Sequence, residues 1–271
     1  MPFYQSRDMK LHYEVVGSGP AILMIHGFTN HGLVWAEQIA DLLHSGYRVL
    51  LPDLAGHGLS QHADKKTAVE DLTSDMVNLL DHLGIDRVTV CGLSLGGMIA
   101  QYLAADHPAR VDTLIVADSC VDSTAPDVVA AIESWIEMFE KPNGPLLRIQ
   151  AVWPQMLNER YRASPTSEAF LASWKRINGK IPGFSFANVA RGLQQFKSAA
   201  RLKNVKARSL VINGELDRLF PSSVCQEVAN QIAGANFAVI GGAGHLSSLD
   251  SPKEFNELLL RFLEGGSSRN V

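Results

Sequence analysis

A serine with a glycine two places before it and another two places after, Gly92-Leu93-Ser94-Leu95-Gly96, stands between the apolar run Val88-Thr89-Val90-Cys91 and the small-residue stretch Gly97-Met98-Ile99-Ala100. A strand that turns at once into a helix crowds the backbone at its corner. Glycines there keep Cβ atoms out of the way and let the serine hydroxyl stand clear of the sheet. The chemistry open to such a serine is nucleophilic attack on an acyl carbon. Leu95 would open the helix, so its free N–H and the positive end of the helix dipole lie where the attacked oxygen becomes negative.

A serine hydroxyl attacks only when an imidazole removes its proton, and the imidazole needs a carboxylate to fix its tautomer. In a parallel sheet such groups gather at the carboxyl ends of strands. Asp217 follows the run Leu210-Val211-Ile212-Asn213, and His245 follows Phe237-Ala238-Val239-Ile240 through Gly241-Gly242-Ala243-Gly244. Both meet that condition, in the chain order Ser, Asp, His. Asp118, closing the strand next after the serine turn, is the rival for the acid. His26-Gly27-Phe28 ends the first buried run, and a glycine there lets the following backbone N–H come close to a ligand. Phe28 and Leu95 are therefore the expected oxyanion donors, with Gly27 beside the substrate. Of the nine histidines, His12, His44, His62, His82 and His107 fall on exposed patterns and read as surface residues. His57 reads as part of a tight loop, Asp53 to Ser60.

Positioning these groups requires alternating strands and helices. Ala21 to Ile25 is wholly apolar, as a buried parallel strand should be. Trp35 to His44 and Val69 to Leu83 repeat apolar residues at helical spacing, and Tyr47 to Leu51, Val88 to Cys91 and Val111 to Asp118 read as further strands. The alternation stops between about 123 and 200, where helical patterns occur without a convincing strand, and resumes at Arg208 to Gly214, Asn236 to Ile240 and Pro252 to Leu263. The fold class is α/β, a mostly parallel doubly wound sheet with an inserted helical cap. Residues 1–122 and 201–271 are expected to form the core and 123–200 the cap. Three of the four tryptophans fall in that insertion. Trp135 and Trp153 are expected to line a substrate cavity beneath it, against the alternative that the tryptophans form the cap's own small core.

A chain of 271 residues with a formal charge of −4 has no basic excess and no Lys/Arg run longer than Lys65-Lys66. Nucleic acid is therefore not an expected partner. No stretch reaches the roughly 18 apolar residues of a membrane span, and the N-terminus lacks the basic and apolar pattern of a secretory signal. Cys91, Cys120 and Cys225 are widely spaced with no Cys-x-x-Cys pair, so neither a disulfide framework nor a metal site is expected. A cytoplasmic location and no cofactor follow as expectations.

Five ordered motifs together resemble the α/β-hydrolase superfamily: His26-Gly27-Phe28, Asp53-Leu54-Ala55-Gly56-His57-Gly58-Leu59-Ser60, Gly92-Leu93-Ser94-Leu95-Gly96-Gly97-Met98, Asn213-Gly214-Glu215-Leu216-Asp217 and Gly242-Ala243-Gly244-His245-Leu246-Ser247. The elbow and the His245-Leu246-Ser247 stretch are similar to the 3-oxoadipate enol-lactonase branch and neighbouring carboxylesterases. That resemblance implies hydrolysis of a small carboxylic ester or lactone through an acyl-enzyme at Ser94. A serine at the elbow, where epoxide and haloalkane hydrolases of similar fold carry an aspartate, argues against those two reactions. Cleavage of a carbon–carbon bond in a vinylogous diketone ranks second, because in that branch an aromatic commonly follows the histidine and here Leu246 does. A cofactor-free perhydrolase and a non-enzymatic ligand receptor of the same fold are the remaining alternatives. The aromatic-rich insertion favours short or medium, largely uncharged acyl groups, although Arg148, Arg160, Arg162, Arg176 and Arg191 offer cations there.

Overall fold

The structure is a computed structural model that describes residues 1–265. Its strands are β1 (Phe3–Ser6), β2 (Met9–Val16), β3 (Ala21–Ile25), β4 (Arg48–Pro52), β5 (Val88–Leu93), β6 (Val111–Ala117), β7 (Arg208–Gly214) and β8 (Asn236–Ile240). They form one eight-stranded sheet in the order β1-β2-β4-β3-β5-β6-β7-β8. β1 and β2 are antiparallel to each other, β2 is antiparallel to β4, and every pairing from β4 to β8 is parallel. β1 is an addition to the sequence reading. It is a four-residue edge strand with two polar residues, too short to display a period.

The period of two along each strand divides the apolar residues between two cores. Leu23 and Ile25 of β3, Leu50 of β4 and Leu114 of β6 face a core shared with α2 (Val69–His82), α3 (Leu95–Asp106) and α10 (Ser222–Asn230). Their neighbours Ile22, Met24, Leu51 and Ile115 face the other, shared with α1 (Ala36–His44) and α12 (Pro252–Leu263). Helices thus cover both faces of the parallel strands, which is why β3 is buried at every position.

Between β6 and β7 the chain makes α4 (Pro126–Phe139), α5 (Gly144–Met156), α6 (Glu159–Arg162), α7 (Pro165–Asn178), α8 (Gly183–Leu193) and α9 (Ala199–Leu202), with no strand. Short α11 (Ser247–Asp250) precedes α12. Because β3, β5, β6, β7 and β8 run the same way, the residues that leave their carboxyl ends share one edge of the sheet. Those residues are Gly27 and Phe28, Ser94, Asp118, Asp217 and His245.

Candidate active site

The turn at Ser94 is as tight as the spacing of the two glycines requires. Ser94 sits at φ 55° and ψ −114°, a conformation that costs a side chain of this kind on the order of 1–2 kcal/mol. Burial of α3 side chains such as Ile99 and Leu103, both fully buried, offsets that strain at about 1.5–3 kcal/mol each. A Cβ at Gly92 would lie 2.1 Å from the Gly96 carbonyl oxygen, and one at Gly96 would lie 2.0 Å from that of Ile25. Only glycine fits at either place. The Ser94 N–H donates to the Ala117 carbonyl at 2.9 Å, and Ser119 Oγ donates to the Ser94 carbonyl at 2.8 Å. Both bonds lock the corner to the end of β6.

Ser94, Leu95, Phe28 and His245 line one cavity of about 280 Å³. Leu95 opens α3, so its N–H is among the first four amides of the helix, which have no intrahelical acceptor. A Cβ placed on Gly27 would meet the Ser94 Cβ at 3.3 Å, which shows how closely the segment after β3 passes the serine. Gly27 itself is not part of the cavity wall; it supplies clearance for the Phe28 backbone. That segment is fixed from two sides. Leu54 N–H donates to His26 Nε2 at 3.0 Å, so the ring carries its proton on Nδ1 and donates it to the Gly27 carbonyl at 2.8 Å. Burial holds His26 down to about 4, against the opposing pull of Asp53. It is a neutral pin. From the other side, Trp174 Nε1 of α7 donates to the Thr29 carbonyl.

His245 Nδ1 lies 2.8 Å from Asp217 Oδ2, and the two residues are only 1% and 4% exposed. The other oxygen, Oδ1, accepts from the Leu219 and Phe220 amides at 2.8 and 3.0 Å. An ionised Asp217 only accepts, so the imidazole proton sits on Nδ1 and Nε2 keeps the lone pair a base needs. Burial lowers the basicity of His245, but the charge and hydrogen bond of Asp217 outweigh it and hold the imidazole above its usual value.

Asp118, the rival acid, lies close behind. It is fully buried, sits at φ 47°, and accepts from Gly214 N–H at 2.8 Å and Ser247 Oγ at 2.6 Å. Burial first and the Asp217 charge second push its carboxyl up to about 8. Burial and the neighbouring Asp217 thus favour the protonated form of Asp118, and Asp217 is the carboxylate that touches the histidine.

The remaining sequence expectations divide. Trp135 lines the cavity together with Val128, Ile132 and Met98. Trp153 does not: it stacks on Phe170 at 6.3 Å and packs against Trp174 at 6.2 Å. It belongs to the aromatic cluster of the helices' own core, because α5 turns that face toward α7. His12 is also corrected, since it is 5% exposed and pairs with Asp53 Oδ2 at 2.9 Å; β1 covers the face of β2 that the pattern left open. Sequence reasoning missed the buried site of Asp118 and Ser247, and did not separate Arg148 from the other arginines of the insertion. Arg148 lines the cavity, whereas Arg160 and Arg176 are exposed and Arg191 pairs with Glu140. Among the described residues, no cluster of three or more His, Cys, Asp or Glu could hold a metal ion. No helix among them is long and apolar enough to cross a membrane.

Residues 20–252 match a family model described as alpha/beta hydrolase fold. The chain is 29% identical over 277 residues to a provisionally named carbamate hydrolase of Variovorax paradoxus (strain S110), covering 97% of this chain and 99% of that protein. It is 27% identical over 271 residues to the 2-hydroxy-6-oxo-6-phenylhexa-2,4-dienoate hydrolase of Comamonas testosteroni, covering 94% and 92%. Among solved structures, the enol-lactonase of Burkholderia xenovorans LB400 is similar with a TM-score of 0.88 and 25% identity, covering 97% of this chain and 100% of that one.

Proposed function

The chain belongs to the alpha/beta hydrolase fold family, and on that footing we propose that it is a serine hydrolase cleaving a carboxylic ester or lactone of a small molecule. The observation that carries the reading is the buried Asp217–His245 pair at 2.8 Å, with His245 and Ser94 on the wall of one cavity. In this reading His245 Nε2 takes the Ser94 proton as Oγ bonds to the acyl carbon. The carbonyl oxygen becomes an oxyanion that accepts from the Phe28 and Leu95 N–H groups. As the tetrahedral adduct collapses, the C–O bond to the alcohol breaks and His245 returns the proton to it. Water activated by the same imidazole then releases the acid and restores Ser94.

Residues 1–122 and 201–265 serve as the core and 123–200 as a cap over the site; residues 266–271, which the sequence reading joins to the core, lie outside the described residues. The volume of about 280 Å³ suits a small ligand, at the low end of the ordinary range for such pockets. Free, buried Cys91, Cys120 and Cys225 support a cytoplasmic setting. One observation favours carbon–carbon cleavage as a second reading, the similarity to the Comamonas hydrolase. Against it stands Leu246, fully buried after His245, which brings no aromatic ring to the site.

The reading is tested by the pH dependence of p-nitrophenyl butyrate hydrolysis. Only the neutral imidazole accepts the serine proton, and His245 is held above the usual histidine value. Activity is therefore lost as pH falls, with the midpoint of kcat/KM above about 6.5, and drops roughly tenfold per pH unit below it. A profile flat down to pH 5, or a midpoint well below 6.5, contradicts the assignment of His245 as the base.

A further inference from the structure

Arg148 is the one guanidinium of the insertion that is both buried and in the cavity wall, being 4% exposed and sharing that wall with Ser94 and His245. Its Nε and Nη1 find no hydrogen-bond partner among the described residues. The group stacks over the Trp135 ring at 4.5 Å, and Trp135 lines the same cavity. A stacked ring fixes the plane of the guanidinium and leaves the edge bearing its donors free. Burial lowers its pKa to about 9, so it stays cationic at neutral pH. A buried cation with unmade hydrogen bonds is costly for the folded chain and is the arrangement expected when the missing anion arrives with a ligand. The other charged groups of the wall, Asp127 and Arg218, are exposed to solvent; the rest is largely apolar, with Met98, Val128 and Ile132, and provides for a short aliphatic chain between the anion and the reacting carbonyl.

We propose that Arg148 binds a carboxylate carried by the substrate, so that the preferred substrates are esters or lactones of small acids with a second, free carboxylate. This inference rests on the serine-hydrolase reading of the same site, and it reverses the expectation of uncharged acyl groups drawn from the sequence. Planar, bidentate pairing makes Arg a better carboxylate receptor here than Lys.

The test compares ethyl valerate with monoethyl glutarate, read by the ethanol released; the two acyl chains match in length and differ in the terminal carboxylate. Wild-type kcat/KM is expected to favour monoethyl glutarate by about 10- to 100-fold, as a charge-assisted hydrogen bond to a desolvated group provides. The ratio is expected to collapse to one or below in Arg148→Met and to be intermediate in Arg148→Lys. In a second measurement that needs no variant, free glutarate competes with ethyl valerate at concentrations where valeramide does not. Ethyl valerate turnover with no advantage for the glutarate, an unchanged ratio in Arg148→Met, or equal inhibition by glutarate and valeramide overturns the Arg148 proposal alone. Hydrolysis of neither ester, or turnover that survives Ser94→Ala, overturns the serine-hydrolase reading and this inference with it.

Discussion

Replacing Ser94 with alanine lowers kcat for p-nitrophenyl butyrate by on the order of 10⁵-fold, while the thermal unfolding midpoint stays nearly unchanged. The size of the loss follows from what the hydroxyl does in the proposed reaction. Without Oγ no acyl-enzyme forms, and what remains is the binding and oxyanion stabilisation offered by Phe28 and Leu95. The fold is spared because the corner is held by the backbone. The Ser94 N–H bond to Ala117 and the Ser119 bond to the Ser94 carbonyl do not involve the hydroxyl, and alanine tolerates φ 55° about as well as serine does. Turnover within tenfold of wild type in a folded Ser94→Ala protein removes the serine from the reaction.

Asp217→Asn lowers kcat by about 10⁴-fold, whereas Asp118→Asn stays within about tenfold of wild type. The two carboxyls lie in one buried site, and their hydrogen bonds explain the difference. At Asp217 one oxygen accepts from the Leu219 and Phe220 amides, so an asparagine there keeps its carbonyl on those donors and turns its NH₂ toward His245. That amide donates to Nδ1, forces the ring proton onto Nε2, and takes away the lone pair that faces the serine. At Asp118 an asparagine keeps its carbonyl on the Gly214 N–H and donates to the Ser247 hydroxyl, which can accept as readily as it donates. It then imitates the protonated carboxyl that burial and the neighbouring Asp217 favour at this position. The opposite ranking of the two variants in kcat would transfer the acid's role to Asp118.

Sequence alone made the strands and the three candidate side chains legible for a physical reason. Buried parallel strands are nearly continuous apolar runs, and the residue that leaves each carboxyl end is marked by a glycine or a polar residue. β7 and β8 were therefore readable residue for residue, and so was the placement of Ser94, Asp217 and His245 after strand ends, in that chain order. The insertion was legible as helices but not as a surface. An amphipathic stripe tells which face of a helix is buried and says nothing of what lies opposite. Trp135 and Trp153 look alike in sequence, yet one faces the cavity and the other stacks on Phe170. Arg148 was one of five arginines in the insertion until α4 and α5 packed together and enclosed it with Trp135. His12 failed in a related way, because the strand that covers it, β1, is too short to announce itself. Asp118 was visible as the end of β6, but its burial depends on Ser247 and Gly214, more than 90 residues away in the chain.

The most direct test of the account is covalent trapping with a fluorophosphonate, which reacts only with a serine whose proton a neighbouring base removes. Intact-mass and peptide analysis of the labelled protein should show one adduct per chain, located on Ser94. The label should be absent in Ser94→Ala and form far more slowly in His245→Ala. Labelling that spares Ser94, or that proceeds at the wild-type rate without His245, contradicts the account at its centre.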